Sequence, residues 1–118
     1  MKLKKIIPLI YLFLGTLAIP QPTLAEEKIE VIPLIQSSKG LSGKKFNYLD
    51  GKPELRLLKV KIPVGLKTPI HTHPSPMLIH VTRGRLKHVR GEVINFFKAG
   101  DAFIESNNGG PHYVKNVG

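Results

Sequence analysis

Apolar and polar positions alternate in short runs along most of the chain, and turn residues separate the runs. Glu26 to Ser42 carries Ile29, Val31, Leu34 and Ile35 and is interrupted by Pro33, which predicts a short edge strand followed by a loop. Phe46-Asn47-Tyr48-Leu49 meets the turn signal Asp50-Gly51-Lys52-Pro53. From Glu54 to Ile62 apolar residues fall on both alternating faces, which predicts a central strand covered on two sides. Met77, Ile79 and Val81 share one face of the next run, and Leu78, His80 and Thr82 the other. Arg83-Gly84 turns the chain into a return strand over Arg85 to Val89. Gly91 marks another turn, Val93 to Phe97 another strand, and Ala99-Gly100-Asp101 a further turn. Ala102 to Glu105 and His112 to Val117 complete the extended pieces, separated by the loop Ser106-Asn107-Asn108-Gly109-Gly110-Pro111. No amphipathic helical window of useful length occurs after residue 25. Many short strands punctuated by Gly, Pro, Asn and Asp predict an all-β sandwich or barrel with antiparallel pairing.

The first 25 residues follow a different pattern. Lys2, Lys4 and Lys5 precede an uncharged apolar run from Ile6 to Ile19, broken only by Pro8, Gly15 and Thr16. Thr23 and Ala25 are small residues at the −3 and −1 positions of a cut after Ala25. This is the pattern of a secretory signal peptide, and the run is too short and too broken to span a membrane comfortably, which takes about 20 apolar residues. The expectation is an exported protein, periplasmic or secreted, with no stable membrane anchor after cleavage. Residues 26–118 then form a single domain, with its core at about 55–117. That domain carries 15 of the 18 basic residues and all eight acidic ones, a formal charge of +7. The basic residues are scattered and aromatics are few, so the charge reads as a solvated surface and no nucleic-acid partner is expected. Cysteine is absent, so no disulfide compensates for a small core.

The candidate chemistry centres on His71-Thr72-His73. In an extended stretch, residues two apart point to the same face, so both imidazoles project together. Pro69 and Pro74 bracket the pair and rule out a regular helix. His112, which opens the last extended piece, is the natural third nitrogen of a facial site. Three neutral imidazoles suit a divalent transition metal such as Fe, Mn, Zn or Ni and leave positions open for water, oxygen or substrate. His80 and His88 read as structural or surface residues.

The stretch from Gly65 to Gly84 resembles the first cupin motif, G-x5-H-x-H-x3-E-x6-G, with Gly65, His71, His73 and Gly84 at matching spacings. Gly100, Gly109, His112 and Asn116 resemble the second, G-x5-P-x-G-x2-H-x3-N. Three departures stand out. Met77 occupies the glutamate position of the first motif. The second motif has Ser106 for proline and one extra residue before His112. The chain ends at Gly118, where cupins continue through one or two more strands. The resemblance implies a cupin-type antiparallel β-barrel, or jelly roll, lacking its last strands. It implies one metal held by His71, His73 and His112, with Glu105 as fourth ligand or as a hydrogen-bonding partner of a ligand. Met77, Ile79, Phe103 and Tyr113 would form the wall of a pocket for a small molecule, and a homodimer is expected. A metal-dependent dioxygenase is the leading activity on this pattern. A non-catalytic metal- or ligand-binding module and a truncated remnant are the alternatives.

Overall fold

The computed structural model describes residues 8–25 and 28–118. The basic residues Lys2, Lys4 and Lys5, the start of the apolar run and the pair Glu26-Glu27 lie outside them. The chain divides into two units, Met1–Glu30 and Val31–Gly118. In the first, the described residues form no helix or strand, and Leu9 to Ile19 present their apolar side chains to solvent. No helix among the described residues is long and apolar enough to cross a membrane.

The second unit is all-β. Its strands are β1 (Met77–His80), β2 (Arg85–Arg90), β3 (Val93–Lys98), β4 (Ala102–Glu105) and β5 (Tyr113–Asn116). They form two antiparallel sheets, β1-β4 and β3-β2-β5. The β2-β3 hairpin turns at Gly91, whose φ of +57° suits a residue without Cβ. Gly84, with φ of +78°, lets the chain leave β1 for the other sheet.

Register decides which residues face inward. In one sheet Met77 pairs with Glu105 and Ile79 with Phe103. In the other, Leu86 lies between Phe97 and Asn116, and His88 between Asn95 and Val114. Phe97 stacks on Phe103 with ring centroids 4.0 Å apart and planes at 18°, so these faces of the two sheets meet. Val81 and Phe103 are the fully buried apolar residues among those described. The apolar core is therefore small. Beside it the interface between the sheets is polar: His88, Glu105 and His112 are buried there.

Beyond β5 the sheet is extended by an irregular segment, Gly65 to His71. Lys67 bridges Lys115, and His71 bridges His112. The segment spends one more residue than β5 between these two bridges, which is a β-bulge. Its cause is Pro69, which has no N–H to give. The Thr68 hydroxyl accepts the Val114 N–H at 3.1 Å in the bulge. The ladder resumes with reciprocal His71–His112 backbone hydrogen bonds of 2.9 and 3.0 Å.

Two expected strands do not form among the described residues. Residues 54–62 find no sheet partner there, and Leu55 and Leu57 are fully exposed. Apolar residues on both faces call for cover on both sides, and among the described residues 54–61 stay exposed, with Ile62 alone half-buried and its carbonyl taking the Asn116 side-chain N–H. The segment around Ile29 and Val31 is likewise exposed and irregular. With these strands missing, the two sheets do not close into a barrel among the described residues.

Candidate metal centre

The bulge and the bridge set up the histidine cluster. His71 sits opposite His112 across the bridge, so the two side chains share a face. Their ring centroids are 4.7 Å apart, and His73 lies 4.9 Å from each. The three residues each offer a ring nitrogen, and these atoms all fall within 4.8 Å of one another. His71 and His73 are half-buried and His112 is buried, so the cluster opens to solvent on one side.

Hydrogen bonds fix which nitrogens face the cluster. His71 Nδ1 is 2.8 Å from the Pro69 carbonyl oxygen, and His112 Nδ1 is 3.1 Å from that of Gly110. A carbonyl only accepts, so the Pro69 contact puts the His71 proton on Nδ1 and leaves a lone pair on Nε2; at His112 Nδ1 the Gly110 carbonyl calls for the same tautomer, against the more distant Arg90 Nη2 at 3.4 Å, which calls for a lone pair there. This is how a metal-binding histidine is normally oriented, by a hydrogen bond from its other nitrogen. Nε2 of His73 and Nε2 of His112 are 3.1 Å apart. Two nitrogens bound at about 2.0–2.1 Å to one metal stand about 2.9–3.4 Å apart between right-angle and tetrahedral geometry. The pair fits a single ion.

For two of the imidazoles the surroundings favour the neutral form. Burial is the main reason that His73 and His112 are held below the ordinary value of 6.5. For His73, the His112 and His71 rings add to the effect. For His112, the Gly110 hydrogen bond and Glu105 act in the opposite sense without overcoming burial. Neutral imidazole is the form that binds a metal.

A second group lies behind the first and shares His112. His88 is fully buried at the centre of the three-stranded sheet and stacks on His112, with centroids 4.9 Å apart and planes at 21°. Its Nε2 is 2.5 Å from Glu105 Oε1, although neither ring nitrogen of His88 has an aligned hydrogen bond. Arg90 Nη2 pairs with the other carboxylate oxygen of Glu105. Burial alone would raise the Glu105 carboxyl. The contact and charge of His88, then Arg90, outweigh burial and hold the group below its ordinary 4.5. His88, Glu105 and His112 could also hold an ion by proximity. The 2.5 Å contact is closer than two ligands of one metal stand, and the negative charge of Glu105 is already matched by a guanidinium. The outer cluster is the better candidate for a metal ion, and the inner group packs behind it.

No protein-family model matches this chain. Neither a curated protein nor a solved structure matches it.

The expected site residues are distributed as follows. His71, His73 and His112 come together. Glu105 is buried at the end of β4, engaged with His88 and Arg90. The expected pocket wall does not assemble as one surface. Tyr113 lines a cavity of about 250 Å³ with His112, Ile70, Val89, Gly91 and Pro111. Met77 lines a different, mostly apolar groove of about 450 Å³, with Phe46, Tyr48, Leu78 and Ile104 among its neighbours. Phe103 is core, packed on Phe97 and edge-on to His88. Ile79 is half-buried on the strand paired with Phe103 and lines neither space.

His88 is buried and structural, one of the two roles the sequence allows it, while its grouping with Arg90 and Glu105 is not legible there. The signal was the spacing Leu86, His88, Arg90 on one face of β2. An apolar residue followed by two polar ones does not announce burial unless Glu105 is known to lie opposite.

Proposed function

We propose that this chain is an exported, cupin-type domain that binds one divalent transition metal through His71, His73 and His112 and offers it to a small molecule. The observation that carries the reading is the convergence of three imidazoles, two with their Nδ1 atoms tied to carbonyls, on one partly open point. The motif spacings around Gly65, Gly84, Gly100 and Asn116 support the cupin assignment, and the leader pattern of residues 1–25 supports export to the periplasm or medium. Fe, Mn, Zn and Ni all accept three imidazoles with open positions. Oxygenation of a small molecule is the activity that the cupin resemblance offers for such a site.

A non-catalytic metal- or ligand-binding module is the rival, and one observation favours it. Glu105 is already matched by Arg90 and His88 and stands free neither as a ligand nor as a base.

The test is the metal content of the chain recovered from the periplasm or medium, beside His71→Ala/His112→Ala. About one metal per folded chain, lost in the double variant, is expected. A folded wild-type chain that neither carries nor takes up any of the four metals refutes the reading. Oxygen uptake by the metal-loaded chain with candidate small molecules then separates the dioxygenase from the binding module.

A further inference from the structure

The register of the three-stranded sheet gathers cations that are scattered in the sequence. Residues of β2 alternate between its two faces, and Leu86, His88 and Arg90 take the inward one. The outward face therefore carries Arg85 and Lys87. Pairing sets Lys98 of β3 beside Arg85, Lys115 of β5 beside Lys87, and Lys67 of the irregular segment beside Lys115. Lys67, Lys115 and Lys87 form a row across three neighbouring backbones, with a step of about 4.8 Å. None of the five cations makes an ion pair among the described residues. The outward positions of the three strands hold no carboxylate. Like charges directly opposite each other on neighbouring strands are destabilising. Three such pairs share this face, Lys67–Lys115, Lys115–Lys87 and Arg85–Lys98, a cost that an anionic partner would offset.

The rest of the face is apolar. Phe96 lies opposite Lys87, and Ile94, Val89 and Tyr113 follow one another across the three strands. Ile94 and Phe96 are exposed, as is Ile70, which lines the cavity of about 250 Å³ beside Val89 and Tyr113. The two aromatic rings are already covered by cations of the same face. The Lys67 ammonium lies 4.8 Å from the Tyr113 ring centroid, and the Arg85 guanidinium 4.7 Å from that of Phe96. Rings so occupied are poor platforms for stacking bases, and aliphatic side chains such as Ile94 offer nothing to a phosphate backbone. A lipid surface takes both halves at once. Anionic headgroups meet the lysine row, and the apolar side chains enter the layer between headgroups and acyl chains.

We propose that the outward face of the β3-β2-β5 sheet docks on an anionic lipid surface, with Lys67, Lys87 and Lys115 on the headgroups and Ile94 and Phe96 in the interfacial layer. His88 and His112 stack on each other on the inward side, so the docking does not depend on the metal reading.

The experiment is co-sedimentation of the chain recovered from the periplasm or medium with vesicles of phosphatidylglycerol and phosphatidylcholine in equal parts, beside vesicles of phosphatidylcholine alone. The wild-type chain is expected to bind the mixed vesicles. Binding should fall steeply as salt rises from about 0.1 M to about 1 M, where the Debye length shrinks from about 10 Å to about 3 Å. Lys67→Gln/Lys87→Gln/Lys115→Gln is expected to weaken binding on the order of 100-fold, at about fivefold for each basic residue at the surface. Its urea midpoint should not fall below that of the wild type, because like charges are removed from neighbouring strands. Lys39→Gln/Lys44→Gln/Lys45→Gln removes the same charge from the loop whose Leu41 N–H donates to the Ile104 carbonyl of the other sheet, and should bind nearly as the wild type does. Phe96→Ser should weaken binding several-fold and leave its salt dependence unchanged.

Equal losses in the two triple variants would make the binding a matter of net charge and overturn the proposal. So would an absence of binding to the mixed vesicles at about 0.1 M salt, binding to phosphatidylcholine alone that the Lys67→Gln/Lys87→Gln/Lys115→Gln variant retains, or tighter binding to a single-stranded oligonucleotide than to the mixed vesicles. If that variant unfolds more readily than the wild type, Phe96→Ser carries the test, and unchanged binding there overturns the proposal.

Discussion

Replacing Phe103 by alanine tests how the polar site is supported. Phe103 is 4% exposed and is one of two fully buried apolar residues among those described, so its ring is a large share of a small core. Deleting a buried Phe side chain costs about 3–5 kcal/mol, the transfer term plus the cavity left behind. The stack on Phe97, at 4.0 Å and 18°, places this site in the upper half of that range, since aromatic pairs add about 0.5–1.5 kcal/mol beyond burial. At about 0.05–0.15 kcal/mol per residue, the unit 31–118 holds about 4–13 kcal/mol. A loss of about 4 kcal/mol would therefore unfold a chain at the low end of that range and strongly destabilise the rest. The consequence reaches the site. Phe103 packs edge-on to His88 at 6.1 Å and lies on the same face of β4 as Glu105. The assay is urea unfolding followed by far-ultraviolet circular dichroism, because the chain has no tryptophan. Phe103→Leu, which keeps most of the volume, should cost less than half as much. A double-mutant cycle with Phe97→Ala should show a coupling of about 0.5–1.5 kcal/mol. A loss below about 1 kcal/mol in Phe103→Ala, the size of an ordinary substitution, would refute the core described here.

Further outcomes follow from the same geometry. His73 and His112 are held below 6.5, so the unfolded chain takes up their protons first. Metal-free stability should be full above that value and fall as the pH drops below it. Glu105, held below 4.5, adds stability that is present above 4.5 and lost as the pH falls through its folded value. Urea midpoints that stay level between about pH 7.5 and pH 5 would contradict the histidine part. Gly40→Ala would place a Cβ 2.6 Å from the backbone nitrogen of Ser106, and the overpacking should cost about 1–3 kcal/mol in the same urea assay. Thr68→Val removes the acceptor of the Val114 N–H, which should cost about 1–3 kcal/mol and speed hydrogen exchange at the Val114 amide; unchanged exchange would remove the account of the bulge. Zinc at 100 times its dissociation constant should stabilise the chain by about 2.7 kcal/mol, seen as a rise in melting temperature that His71→Ala abolishes.

The amino-acid sequence alone determined the strand positions from Met77 onward and the pairing of His71 with His73. Those features are local. Alternation at period two, glycine at the turns and proline on both sides of the histidines act within a few residues, and β2 to β4 fall within a residue or so of where the pattern puts them. The grouping of His112 with His71 and His73 was legible from motif spacing, and the bridge to His71 is what brings the rings together. Only the tertiary structure decided that the face bearing His88 and Arg90 is buried. Charge and polarity on β2 argue for solvent until Glu105 arrives from the other sheet to offset their desolvation. The same holds in reverse for residues 54–62. Their pattern asks for a central strand, but a strand needs a partner and cover on both faces, and the described residues give 54–62 no sheet partner and leave 54–61 exposed. Local pattern specifies what a segment could be, while the partners across space decide which polar groups are paired and which apolar ones are left in water.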